Sequence, residues 1–189
     1  MNDTKLSLLQ KGLILFSQAP YEDVGVQDIA NAAGVTKPTL YHHFGSKLGF
    51  YEAVFAYYTA PFCDLIAQTT EYRHDLTHNL NETARTAIDF FMSHEETYQM
   101  LEYASITSPN AEHHEFVQAF WNDLIGCFEK LFQSAVEQHG NLANKTQTSA
   151  WLFIYTVRAG IHIVLKDRNK YTPDMPYKLV HQFMYGLFS

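Results

Sequence analysis

A cation, two hydroxyl groups and two imidazoles lie close together between residues 37 and 43, on Lys37, Thr39, Tyr41, His42 and His43. Ammonium, hydroxyl and imidazole groups all form hydrogen bonds with polar partners. The chain shows no nucleophile–base pair, phosphate-binding loop or metal signature that would indicate catalysis. These side chains therefore predict the binding of a polar partner rather than a reaction.

Histidine is abundant, with ten residues in the chain, and raises the possibility of a metal site. Neither His94 nor His114, each followed by Glu, has a second His four positions further on, as a zinc-protease helix requires. Only Glu71 and His74 have the Glu-x-x-His spacing, which a di-iron bundle needs twice. We therefore expect solvated polar faces at these positions, with no metal and no cofactor.

The elements that position the polar side chains begin with a short predicted helix from about Gln27 to Ala33. Ile29, Ala30 and Ala33 give this helix an apolar stripe at helical spacing. Gly34 should end it, because only glycine enters the left-handed backbone region without steric cost.

A second short helix is predicted to follow and to end at Phe44. Thr36 is a good N-cap, and Pro38 falls in the first turn, where a missing N–H costs nothing. Leu40 and Phe44 share one face and can pack on the preceding helix, which leaves the polar side chains outward. This arrangement is a helix-turn-helix. An ordinary helical hairpin with a polar outer face would show the same pattern.

The run VTKPTLYHHFGSKLGFYEAV resembles the tetracycline-repressor (TetR) family of bacterial transcription regulators, over roughly the first quarter of the chain. Gly49 departs from the family pattern, in which Glu is frequent at this position. Without the Glu side chain the capping box has no partner, which should fray the start of the next helix. The residues that match the family pattern are Gly34, Val35, Thr36, Lys37, Thr39, Leu40, Tyr41, His43, Phe44, Ser46 and Lys47.

The resemblance implies contacts with DNA. Lys37, Tyr41 and Lys47 match positions that commonly contact phosphates, whereas Thr39 and His42 match positions that reach base edges or nearby backbone. Tyr41 could instead be partly buried against the preceding helix, and His43 could pack at the helix end. The expected DNA-binding residues are Gln27, Thr36, Lys37, Thr39, Tyr41, His42, His43 and Lys47.

Composition places few limits on the fold, but it does constrain the environment. The chain has 189 residues, 47% hydrophobic and 15% aromatic, enough for a packed core in one domain or two small ones. Cys63 and Cys127 lie far apart without a CxxC motif, which favours buried free thiols in a reducing compartment. We find no signal-peptide pattern and no apolar run of about 18 residues, and we therefore expect a cytoplasmic protein.

Charge is distributed unevenly along the chain. The formal net charge is −7, which argues against indiscriminate nucleic-acid binding. Residues 1–47 carry four Lys and four acidic residues and are neutral, whereas the remainder carries the whole negative excess. The amino-terminal part is therefore relatively basic, and we expect modest DNA affinity and a need for dimerisation.

The remaining pattern is helical throughout, without a strand signal or an internal repeat, so the predicted fold is all-α with about nine helices. The first helix, Thr4 to Gln18, carries an apolar stripe of Leu6, Leu9, Leu13 and Phe16. The later helices are predicted at Leu48 to Thr70 (interrupted and kinked at Pro61), Leu76 to His94, Glu95 to Ala104, Glu115 to His139, Thr146 to Lys166 and Tyr177 to Phe188.

We predict two domains, a helix-turn-helix DNA-binding domain at residues 1–47 and a ligand-binding and dimerisation domain at residues 48–189. The resemblance implies an apolar small-molecule cavity in the second domain. Most aromatic residues at helical spacing are simply core, but the surplus suggests candidates, and the acidic excess favours a cationic or aromatic ligand. These candidates are Phe62, Tyr98, Tyr103, Phe116, Phe120, Trp121 and Tyr155.

The last two helices match the family's dimerising pair in position and length. Small residues at Ala159 and Gly160 would allow close helix approach, although the same helices could close the monomer's own core. The candidate dimer residues are Tyr155, Arg158, Ala159, Ile161, His162 and Leu165 on the first helix, and Tyr177, Val180, His181, Met184, Tyr185 and Phe188 on the second.

Together these patterns predict a ligand-responsive DNA-binding regulator, most simply a repressor, that binds a pseudo-palindromic operator as a homodimer. A small-molecule effector would release it from the DNA. Two other classes of protein compete with this interpretation. One is a helical enzyme acting on a small molecule, and the other is a protein-binding adaptor that keeps the fold without DNA affinity.

Overall fold

A computed structural model describes residues 3–106 and 108–186 of the chain. Within these residues it contains α-helices and short 3-10 turns but no strand, and the predicted all-α fold is confirmed. The end of the last predicted helix and the candidate dimer residue Phe188 lie outside the described residues. The helices are α1 (Asp3–Phe16), α2 (Val26–Ala33), α3 (Lys37–Phe44), α4 (Lys47–Thr69), α5 (Leu76–Ser93), α6 (Glu95–Ser105), α7 (His114–Ala135), α8 (Thr146–Lys166) and α9 (Met175–Tyr185).

Backbone contacts divide the chain into two compact units. The first comprises Met1–Pro61 and His94–Phe120, and the second comprises Phe62–Ser93 and Trp121–Ser189. These bounds describe packing. The predicted division at residue 47 describes roles, DNA binding on one side and ligand binding on the other, and it stays a prediction.

In the first unit, the buried face of α1 differs from the predicted stripe. Leu6 is 42% exposed, so the expectation for it was wrong, and Leu8 is fully buried instead. The reason is Gly12, where an added Cβ would lie only 2.6 Å from side-chain atoms of Phe50 and Val54. This close approach to α4 turns the buried face of α1 toward Leu8, Leu9, Gly12 and Phe16.

The turn between α2 and α3 forms as predicted. Gly34 adopts the left-handed conformation, with φ at 65°. Thr36 caps α3, because its hydroxyl oxygen accepts a hydrogen bond from the backbone N–H of Thr39 at 3.4 Å. Ala30 and Leu40 have no exposed surface, so α2 and α3 are joined through an apolar contact face.

The start of α4 explains the glycine that departs from the family pattern. Ser46 caps the helix by accepting a hydrogen bond from the Gly49 N–H at 2.9 Å. A Cβ at residue 49 would lie 2.4 Å from the carbonyl oxygen of Phe44, a distance that no side chain tolerates without a shift. Gly49 therefore permits a tight turn between α3 and α4, and the helix begins at Lys47.

Helix α4 also continues through Pro61, where an interruption was predicted. A proline inside a helix removes one backbone hydrogen bond, here to the carbonyl of Tyr57, and crowds that carbonyl. The 23-residue helix retains its other hydrogen bonds on both sides of this position. A single proline is therefore insufficient to end it.

In the second unit, α5, α8 and α9 pack on one another. Gly160 allows the closest approach, since an added Cβ would lie 2.4 Å from the Leu179 side chain of α9. Ile161 is 3% exposed and Val180 is 1% exposed. Both were candidates for the dimer surface, and the structure places them instead in the core of their own unit.

Helix α8 is long and apolar enough to cross a membrane, judged by length and hydropathy alone. An apolar segment of that length was not predicted from the sequence. A core helix meets the same two criteria. Phe153, Val157 and Val164 of α8 are buried in the unit that it forms with α5 and α9. The apolar composition of α8 is thus explained in part by packing within the protein.

Candidate nucleic-acid interface

The outward face of α3 presents a short row of polar side chains. Lys37 and His42 are exposed, and Tyr41 is 43% exposed, so its side chain is available to a partner although part of it is covered. Thr39 and His43 are half-buried, and the His43 ring lies edge-on to His42 at 5.5 Å. Cationic, phenolic and imidazole groups thus point away from the core along one helix of eight residues.

The two helix starts hold their predicted contact residues through local hydrogen bonds. The Gln27 amide donates to the Asn31 side chain at 2.8 Å, one turn further along α2. The hydroxyl groups of Thr36 and Thr39 are hydrogen-bonded to each other at 2.9 Å. These bonds restrict the side-chain rotamers and reduce the entropy that a partner would have to overcome.

Lys47 differs from the other predicted contacts because it is half-buried. Its Nζ lies 4.1 Å from the centre of the Tyr21 ring and donates to the Glu22 carbonyl oxygen at 3.5 Å. Burial lowers the pKa of Lys47, and the negative charges of Glu112, Glu22 and Asp23 oppose that shift. The ammonium is therefore held in one place by an aromatic face and surrounding acids.

Tyr21, in a 3-10 turn between α1 and α2, is the centre of this arrangement. Its ring packs 4.6 Å from that of His113 and 5.0 Å from that of Tyr51. Its hydroxyl donates a hydrogen bond to the Glu112 carboxylate, in the segment before α7. Burial, followed by this hydrogen bond, raises the pKa of Tyr21 well above its usual range.

His113 completes the group. Its side chain is 2% exposed, and its Nδ1 lies 3.8 Å from the Glu22 carboxylate. Burial lowers the pKa of His113, against the opposing effect of Glu22 and Glu112. We refer to the five residues Tyr21, Glu22, Lys47, Glu112 and His113 as the Tyr21 cluster.

Apart from Lys47, no residue of the Tyr21 cluster was predicted as a binding residue. Tyr21 and Glu112 are 91 residues apart, and neither lies in a motif. His113 lies beside His114, which was considered only as a possible metal ligand. Among the residues that the structure describes, no three His, Cys, Asp or Glu side chains converge on a point that would hold a metal.

Acidification should destabilise the protein through His113. The folded state holds this imidazole neutral, with its pKa below the ordinary value of 6.5, so the unfolded chain binds more protons. The contribution of His113 to stability is complete above about pH 6.5 and is lost as the pH falls through the folded pKa. Chemical denaturation at pH 7.5 and pH 5 should therefore show a smaller stability loss for His113→Gln than for the wild type. The exposed His78, changed to Gln, is the control. Equal losses in the wild type and His113→Gln would contradict the role of His113.

Four of the aromatic ligand candidates lie in the first unit. Tyr98 is buried, and the Tyr103 hydroxyl donates to the Gln18 carbonyl at 3.2 Å. Phe116 and Phe120 each pack edge-on against Phe55, at 5.3 and 5.1 Å. Phe116 and Phe120 thus pack on α4 through Phe55, whereas Tyr103 is bonded to the segment that follows α1.

The other three candidates lie in the second unit. Phe62 packs 4.6 Å from Phe91, and the Trp121 ring lies 5.1 Å from the Arg158 guanidinium. Tyr155 is 56% exposed and stacks on the Trp151 ring of the same helix at 6.1 Å. The seven candidates thus do not form one cluster within either unit, and their role as ligand contacts stays a prediction.

The two cysteines are free thiols and are half-buried, both in the second unit. Burial, with a smaller effect of the neighbouring Cys127, raises the pKa of the Cys63 thiol to about 11. A thiol with such a pKa is almost entirely protonated at neutral pH, which makes it a poor nucleophile.

Comparison with known proteins connects the α3 face to a family. The sequence profile described as bacterial regulatory proteins of the tetR family matches residues 8–54, which include α2, α3 and the start of α4. The HTH-type transcriptional activator FasR of Mycolicibacterium smegmatis is 30% identical over 96 residues, covering 50% of this chain and 44% of FasR. The amino-terminal quarter of the chain thus matches the TetR family profile. The chain spans under half the length of that curated relative.

Solved structures of TetR-like regulators share the fold over nearly the whole chain. The fatty acid degradation regulator FadR from Bacillus halodurans superposes with a TM-score of 0.78, at 16% identity, covering 100% of this chain and 98% of that one. FadR from Bacillus subtilis, solved in complex with stearoyl-CoA, gives a TM-score of 0.75 at 12% identity, covering 96% and 98% of the two chains. At these identities the likeness concerns the fold alone.

Proposed function

We propose that this protein is a TetR-family DNA-binding transcriptional regulator that acts as a homodimer and leaves its operator when a small molecule binds. The observation that carries the proposal is the exposed face of α3, with Lys37, Tyr41 and His42 outward on an intact helix-turn-helix. Side chains of this kind, on the second helix of such a motif, suit the major groove.

Binding to DNA would place α3 of each subunit in a major groove. A two-fold symmetric dimer then requires a pseudo-palindromic operator whose half-sites lie at least about 34 Å apart, one helical turn. Residues 1–47 have no net charge. This supports binding in which a few lysines contact phosphates while side chains of α3 contact base edges. Repression is the expected effect where the operator overlaps a promoter, and in vitro transcription from such a template would measure it.

The second copy would pack on the exposed apolar faces of α8 and α9. Leu152 is 57% exposed and Ile163 is 45% exposed on α8, and Tyr177 and Tyr185 are exposed on α9. Large apolar side chains that lie on neighbouring helices and face solvent are typical of a subunit interface. Since these residues belong to one compact unit, the face exists without any rearrangement.

A predominantly apolar effector fits the aromatic content of the candidate residues. Long-chain acyl-CoA is the first compound class to test, since FadR from Bacillus subtilis was solved with stearoyl-CoA on the same fold. Aromatic cations are the second class, because the chain has a net charge of −7. We expect one of these two compound classes to release the protein from its operator. The fluorescence anisotropy of labelled operator, followed during titration with each compound, would measure the release. The protein would act in the cytoplasm without an enzymatic activity of its own.

Replacing Lys47 with Ala should weaken binding to all DNA sequences alike and lower the salt slope of the binding constant by about one. The reason is that a lysine on a phosphate releases one counterion and reads no base. Electrophoretic mobility shifts at several salt concentrations between about 50 and 250 mM would measure this slope, which is that of the logarithm of the binding constant against the logarithm of the salt concentration. Lys170→Ala, an exposed lysine on the second unit, is the control. An unchanged slope in Lys47→Ala would remove Lys47 from the interface.

A further inference from the structure

The Tyr21 cluster joins two segments that are remote in sequence and have different expected roles. At one end, Glu112 precedes α7, which carries the ligand candidates Phe116 and Phe120. At the other end, Lys47 begins α4 next to the helix-turn-helix. Tyr21 touches both, through its hydroxyl to Glu112 and through its ring face to Lys47.

We propose that Tyr21 and Glu112 are positioning residues for the phosphate contact of Lys47, and that they pass a displacement of the segment before α7 to that contact. This inference rests on the proposed function, because it concerns how DNA binding is regulated. It assigns roles to two residues that lie outside the helix-turn-helix.

The geometry of Lys47 supports a positioning role for Tyr21. An ammonium has three N–H donors, and the structure engages Lys47 Nζ with the Glu22 carbonyl and the Tyr21 ring. A further donor direction remains for a phosphate oxygen. Without the ring, the flexible four-carbon stem would lose more rotamer freedom on binding, and the contact would be weaker.

Glu112 in turn fixes the ring of Tyr21. The ring also packs on Tyr51 and on His113, and the hydroxyl hydrogen bond to Glu112 fixes its orientation relative to the segment that leads into α7. Glu112 and Phe116 are four residues apart, and Phe116 packs 5.5 Å from Tyr51. An effector that displaces Phe116 would therefore move the carboxylate, then the Tyr21 ring, and finally the Lys47 ammonium.

Two variants separate the hydrogen bond from the charge. Tyr21→Phe keeps the ring under Lys47 and the Glu112 carboxylate, but it removes the hydroxyl. Glu112→Gln removes the charge, but its amide oxygen can still accept from Tyr21. We expect Tyr21→Phe to weaken operator binding about three- to tenfold, as for the loss of one hydrogen bond. Glu112→Gln should bind at least as tightly as the wild type, and Glu112→Ala should resemble Tyr21→Phe.

The decisive measurement is a double-mutant cycle with Lys47→Ala, read as operator affinity and salt slope. If Tyr21 acts through Lys47, adding Tyr21→Phe to Lys47→Ala should change neither quantity further. Tyr171→Phe is the matched control, since its hydroxyl donates to the Asp89 carboxylate at 2.7 Å in the other unit, and it should bind like the wild type. Thermal unfolding of every variant tests whether it is folded.

Two results would overturn the inference. One is wild-type affinity in both Tyr21→Phe and Glu112→Ala, and the other is an equal loss with and without Lys47. If Tyr21→Phe does not fold, Glu112→Ala replaces it in the double-mutant cycle with Lys47→Ala. A wild-type protein that binds no DNA would instead refute the proposed function, so the two failures are distinguishable.

Discussion

Replacing Leu152 and Ile163 on α8 with Glu should yield a folded monomer that binds the operator at least about a hundredfold more weakly than the wild type. Both side chains face solvent in the single subunit, so the charges cost little there. In a dimer they would bury four carboxylates without partners, which opposes association. A monomer then holds one half-site alone and loses the effective concentration that linkage to a second half-site provides.

Light scattering at micromolar concentration measures the assembly, and the wild type should give twice the mass of one chain. Tyr57→Glu with Ile106→Glu is the matched control, because these two exposed apolar residues lie in the first unit and should leave the dimer intact. Ile161→Glu is a different case, since its buried position predicts an unfolded chain rather than a monomer. A Leu152→Glu, Ile163→Glu protein that remains dimeric would place the interface elsewhere.

Replacing Tyr41 and His42 with Ala should reduce operator affinity by roughly a hundredfold, because each contact to a base edge or its backbone is worth about 1–3 kcal/mol. Binding to unrelated DNA should fall less, since it loses only the phosphate contact of Tyr41 and keeps those of the lysines. The two side chains are exposed on α3, so the change should leave stability near the wild-type value. Competition between operator and random duplex measures the ratio.

The control for this change is Glu115→Ala with Gln118→Ala, two exposed residues on the first turns of α7. His42→Ala alone should alter which bases are preferred rather than abolish binding. Should the Tyr41→Ala, His42→Ala protein keep the wild-type preference for operator over random DNA, α3 would not be the recognition helix.

The helix-turn-helix could be predicted from sequence because its determinants are local. Gly34, Thr36 and Pro38 set the end of one helix and the start of the next within five residues, and all three act as expected. The bounds of α8 were also predicted correctly, Thr146 to Lys166, because a loop rich in polar residues precedes it and a proline-containing loop follows.

Features that depend on distant packing could not be predicted. The buried face of α1 follows from Gly12 contacting Phe50 and Val54, which helical spacing within α1 does not show. Ile161 shares its helix with exposed apolar residues, and only the position of α5 and α9 decides which side is core. The Tyr21 cluster depends on a hydrogen bond between residues far apart in the chain.

Helix α7 shows a similar limit at its end. The predicted helix reached His139, whereas the structure ends it at Ala135 and continues with turns to a 3-10 segment at Gly140–Leu142. The predicted end was set by Gly140, the nearest strong breaker. The carbonyl of Ala135 accepts from the backbone N–H groups of both Gln138 and His139, which closes the helix earlier.

Selection of bound sequences from a pool of random DNA duplexes, using the wild-type protein, tests whether the protein reads an operator through α3. We expect enrichment of one pseudo-palindrome with two half-sites separated by at least about one helical turn, roughly 10 base pairs. The enrichment should be lost when Tyr41 and His42 are both replaced with Ala. A folded, dimeric wild-type protein that enriches no sequence, or only a single half-site, would contradict the proposal that this protein reads an operator through α3.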